Sequence, residues 1–65
     1  MELQLINVGR NKVNRTVTVK NEKVMWKEIG SCLMSKEIEL TETDVENKYT
    51  VWAGMRPVGE VIIKQ

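Results

Sequence analysis

The chain contains no histidine, no phenylalanine, one cysteine and one proline in 65 residues. Without histidine it lacks the commonest general base and metal ligand near neutral pH. A lone Cys32 excludes an intrachain disulfide and the paired-cysteine spacings of zinc fingers. Stability must therefore come from packing, alone or with a partner. Glycines occur singly, so no phosphate-cradling loop is present. No apolar stretch has the length of a membrane span, and the opening MELQLINVG has neither a basic leader nor a small-residue cleavage site. These absences, with a free thiol, predict a cytoplasmic protein without cofactor.

What is present suffices for one small domain over residues 1–65. A chain of this size buries only about 60% of its unfolded surface, which leaves nothing for a second core. At 42% hydrophobic and 29% charged residues it is too apolar to remain disordered. Net charge is only +1, but the two halves differ in sign. Through Lys27 there are six basic residues against two acidic, and from Glu28 onward four against seven.

Apolar periodicity predicts the elements. Residues 2–8 read as a strand, Gly9 to Lys12 as a turn, and VNRTVTVK as a second strand with Val13, Val17 and Val19 on one face. The period then changes. In NEKVMWKEIGSCLMS, residues Met25, Trp26, Ile29, Cys32 and Leu33 form one helical stripe, with Asn21 as N-cap and Glu22 in the first turn. Gly30 inside that helix costs about 1 kcal/mol against alanine, which suggests a close approach of helix to sheet. Alternation resumes in KEIELTE from Lys36, again from Tyr49 to Ala53, and in VGEVIIK after a turn at Gly54 to Pro57. The expectation is an α+β fold, β-β-α-β-β-β, with one helix on a mainly antiparallel sheet or a partly coiled small barrel.

Candidate catalytic residues are few. Cys32 falls in the apolar stripe, where a thiol behaves as a small hydrophobe. Ser31 and Ser35 fall on the helix's solvent side with no base nearby. The acidic run Glu42 to Glu46 lacks the central glycine and closing acid of a calcium loop. Glu37, Glu39 and Glu60 belong to exposed strand faces, where nothing sets one apart as acid and another as base. The chain is therefore read as a non-enzyme.

Two surfaces remain. If the helix covers the face bearing Leu3, Leu5, Val17, Val19, Ile38, Leu40, Tyr49, Val51, Val61 and Ile63, then Ile6, Val8, Trp52, Val58 and Ile62 emerge opposite. Five apolar residues including a tryptophan make a patch of interface size, unless the sheet coils and gives them a small second core. Val24, Met34 and Met55 lie ready to extend it. The leading expectation is a protein-interaction module, an accessory or inhibitory protein, with a homodimer as one form of it. Chains this short are often such proteins in phages and mobile elements, though no residue shows that here. The alternative is a nucleic-acid-binding module using Arg10, Lys12, Arg15 and Lys20 of the N-terminal hairpin. No aromatic residue lies in that hairpin to stack on bases, and cations guarding an edge strand explain the same residues.

Overall fold

The computed structural model describes residues 1–34 and 37–65, so Ser35 and the expected strand start at Lys36 lie outside the described residues. Five strands and a helix follow in the predicted order: β1 (Glu2–Val8), β2 (Val13–Thr18), α1 (Glu22–Ser31), β3 (Ile38–Glu42), β4 (Lys48–Ala53) and β5 (Arg56–Lys64). All pairings are antiparallel, and the sheet runs β2-β1-β5-β4-β3. It is open, with β2 and β3 as edges. The helix carries the chain from one edge to the other.

Helix α1 starts where its cap places it. The Asn21 side chain accepts the Val24 N–H at 3.0 Å, and Glu22 occupies the first turn. The helix ends at Ser31, earlier than the apolar stripe predicts, because Cys32 donates its N–H to Ile29 O in a tightened last turn. Leu33 still packs on the core, while Met34 lies beyond the helix and is 96% exposed. Gly30 does not mark a close approach: a Cβ there would meet only Ile38 Cδ1, at an ordinary 3.6 Å.

Leu3, Leu5, Val8, Val19, Met25, Ile29, Val51 and Val61 are buried in one cluster, with Val17, Ile38, Leu40, Tyr49 and Ile63 packed against it. Every residue expected on the helix side of the sheet is there. Val8 and Val58 join them, which corrects the expectation that both emerge opposite.

Two β-bulges cause the reversal. In β1 the register runs from Leu5↔Arg15 to Val8↔Val13, three steps against two, and Asn7 takes φ 49° to absorb the extra residue. Val8 is thereby rotated onto the face of Leu3 and Leu5 and is 0% exposed. In β5, Val51 pairs with Gly59 and Trp52 with Pro57, so Val58 is the extra residue and turns toward the core. Proline is tolerated at such a bulge because the ladder is already interrupted.

The bulges fit together. Gly59 has φ 152°, and a Cβ on it would lie 2.7 Å from Val8 Cα. Asn14 fills the gap in the β1–β2 ladder: its Oδ1 accepts the Asn7 N–H at 3.1 Å, while its Nδ2 donates to Asn7 Oδ1 at 3.0 Å and Lys12 O at 2.9 Å.

These geometries set opposite outcomes for glycine replacement. Gly30→Ala should stabilise the protein by about 0.5–1 kcal/mol, since helix propensity improves and nothing clashes. Gly59→Ala should cost more than about 2 kcal/mol, because the backbone region is hostile and Val8 blocks the methyl. Urea unfolding of both variants measures the difference. Asn14→Ala should cost about 1 kcal/mol and raise amide exchange at Asn7, whose N–H loses its acceptor.

Candidate functional site

The face away from α1 is where the apolar candidates remain. Ile6, Trp52 and Ile62 are half-buried and stand outside the core cluster. Register places them among polar neighbours: Ile62 pairs with Gln4 and Lys48, Ile6 with Glu60, and Trp52 with Glu39 and Pro57. No residue of this face is fully buried, so among the described residues it holds no second core.

Trp52 is held in one orientation. Its Nε1–H donates to Thr41 Oγ1 at 2.8 Å, which lays the ring across the step from β4 to β3. The hydrogen bond satisfies the one polar atom of the indole and leaves its apolar surface available. Beside it, Lys48 Nζ lies 3.5 Å from Glu60 Oε2. That ion pair spans β4 and β5 and frames Ile62 and Ile6, so the face carries charge of both signs around its apolar residues.

The basic candidates are not brought together. Arg10 and Lys12 lie in the β1–β2 turn, whereas Lys20 follows β2 at the opposite end of the sheet. Arg15 lies on the helix side, its Nη2 3.2 Å from Glu28 Oε2. A six-residue strand separates the two ends by roughly 20 Å.

Arg56 takes the place that sequence reasoning gave to Arg15 and Lys20. Because β1 and β5 are antiparallel neighbours, the β1–β2 and β4–β5 turns lie at the same end of the sheet, together with the C-terminus of α1. A cleft of about 690 Å³ opens between these three segments, with Arg10, Lys12 and Arg56 among its lining residues and Leu33, Met34 and Val58 as its apolar wall. Among the described residues no carboxylate lines it. No ion pair engages Arg10, Lys12 or Arg56 among the described residues. Arg10 and Arg56 lie far apart in sequence, and only the β1–β5 pairing places them at the same end of the sheet, where both line the cleft. The legible hint was the group Pro57, Val58 and Gly59, which marks a bulge near a rim.

The residues considered for catalysis are dispersed. Cys32 caps α1 and packs half-buried against the core, its Sγ 3.7 Å from Glu28 O and 4.0 Å from Arg15 Nη2. Ser31 donates its hydroxyl to Glu28 O at 2.7 Å. Glu39 and Glu60 are separated by the whole width of β4. In the β3–β4 loop, the Thr43 hydroxyl bonds Lys48 O at 2.9 Å and accepts the Val45 N–H at 3.2 Å, a local turn that organises the acidic run. Among the described residues no group of three or more metal-ligating side chains converges, and no helix is long and apolar enough to cross a membrane. Compared with known proteins, the chain matches no family model, no curated protein and no solved structure.

Proposed function

We propose that the protein is a non-enzymatic interaction module that docks through the uncovered face of its sheet, and that the surface it meets there is a second copy of itself. The observation that carries this reading is Trp52: a large aromatic outside the core, hydrogen-bonded to Thr41 on a face that no other element covers among the described residues. Aromatic anchors held in their bound orientation lose little entropy on association.

The choice of a second copy rests on charge and size. The face mixes Lys48 and Lys64 with Glu39 and Glu60, so it has no bias toward a strongly acidic or basic partner. Two such faces can set opposite charges against each other. The molecule measures 27 × 25 × 18 Å, and a sheet face of that outline approaches the about 800 Å² per partner of a standard interface. Face-to-face packing of two twisted sheets about 10 Å apart would bury Ile6, Trp52 and Ile62 together.

Light scattering after size exclusion, over a concentration series, should show a dimer that dissociates in the micromolar range. Trp52→Ala should abolish the dimer. The same substitution should cost the monomer about 1 kcal/mol, well short of the about 3–5 kcal/mol of a core aromatic. A monomer persisting to about 1 mM, or a dimer indifferent to Trp52, would overturn the self-association reading.

A further inference from the structure

We infer that the cleft between the β1–β2 turn, the end of α1 and the β4–β5 turn binds a small organic anion of the phosphate type, about the size of a nucleotide. It lies at a rim of the sheet, where Ala53 and Pro57, the chain neighbour and the cross-strand partner of Trp52, also line it, and Trp52 itself is not among its lining residues. Its volume of about 690 Å³ falls within the range of small-molecule sites, roughly 300–1,000 Å³.

The chemistry of the lining selects the ligand. Arg10, Lys12 and Arg56 come from two separate turns and all line one cleft, which no carboxylate lines among the described residues. Guanidinium groups offer forked donors that match phosphate oxygens, and lysine adds a point charge. Leu33, Met34 and Val58 supply an apolar wall for the uncharged part of the same molecule. Three cations in a cleft without acidic lining repel one another, and an anion relieves that cost.

Two other roles for these cations fit less well. A cation near the C-terminus of α1 favours the helix dipole by about 0.3–1 kcal/mol, but one suffices and the benefit fades within a turn. An extended nucleic-acid strand would need a positive track. Here the track is broken, because Arg15 is paired with Glu28 and Lys20 lies at the far end. Glu37 adjoins the rim, where its carbonyl accepts the Gly54 N–H at 2.9 Å, but it is not part of the lining. The floor is also built for close approach: a Cβ on Gly9, which has φ 79°, would collide with Cys32 O, so the β1–β2 turn sits directly on the helix end.

The test is amide-resolved NMR at low salt, titrating the whole chain with sodium pyrophosphate, with adenosine monophosphate and with a short DNA duplex. Saturable shifts confined to Gly9, Arg10, Lys12, Arg56 and Val58, with millimolar or tighter dissociation constants, are expected for the two small anions. Arg10→Gln and Arg56→Gln should each weaken them at least about fivefold, whereas Lys20→Gln should not. These cations are exposed, so the variants should keep the dispersed spectrum of the folded protein. Absence of shifts at about 10 mM anion, or shifts spread equally over Lys20, Lys23 and Lys27, would overturn the proposal. So would duplex binding stronger than that of either small anion and lost in Lys20→Gln, which would assign the cations to a nucleic-acid backbone. A lowered melting temperature in the arginine variants without anion binding would assign them to the helix end, and would overturn it too.

Discussion

The pairing of β1 with β5 is the contact on which the rest of the molecule depends. On one side of it stands the N-terminal hairpin, on the other the β3–β4–β5 meander, and neither can bury its apolar face alone. Register sets Leu3 beside Ile63 and Leu5 beside Val61. Val51, Tyr49, Met25 and Ile29 complete the core around these pairs. A short chain without a disulfide has little redundancy, so the two halves stand or fall together. The same pairing brings the two turns to one rim and leaves one broad face of the sheet without a covering layer.

Most of this architecture is written in local periodicity. Alternation of two in the strands, the change to a helical stripe after Asn21 and its return before Ile38 are consequences of side-chain direction, and they persist whatever the strands pair with. Bulges are different. Asn7 and Val58 each add one residue to a strand, and every side chain beyond the insertion changes face. Val8 and Val58 were therefore misassigned by alternation alone. Asn7 and Gly59 are the residue types that tolerate the required backbone, but tolerance does not announce use. Partners distant in sequence were also invisible: nothing near Arg15 shows that it meets Glu28, and nothing near Arg10 shows that Arg56 joins it.

The bulges also divide the labour between the two surfaces. By taking Val8 and Val58 into the core they reduce the apolar area of the uncovered face to Ile6, Trp52 and Ile62. A face with all five would be a hazard for nonspecific association; one with three, framed by an ion pair and threonines, exposes less contiguous apolar surface. At the same rim the bulge residues Asn7, Val58 and Gly59 line the cleft. The two bulges thus trim one surface and contribute residues to another.

The helix that carries the chain from edge to edge has a consequence for how the protein comes to exist. Because β2 and β3 lie at opposite edges, the crossing defers the closing of the sheet to the last strand made. Leu3 and Leu5 are made well before Val61 and Ile63, which they adjoin. Local hairpins form within about 1–10 μs, but the seam joins residues from opposite ends of the chain and carries the larger loop-closure entropy. The decisive step of folding is therefore the pairing of β1 with β5. Without the residues from Val61 onward, the β1–β2 and β3–β4 pairs lose most of the strand that joins them into one sheet.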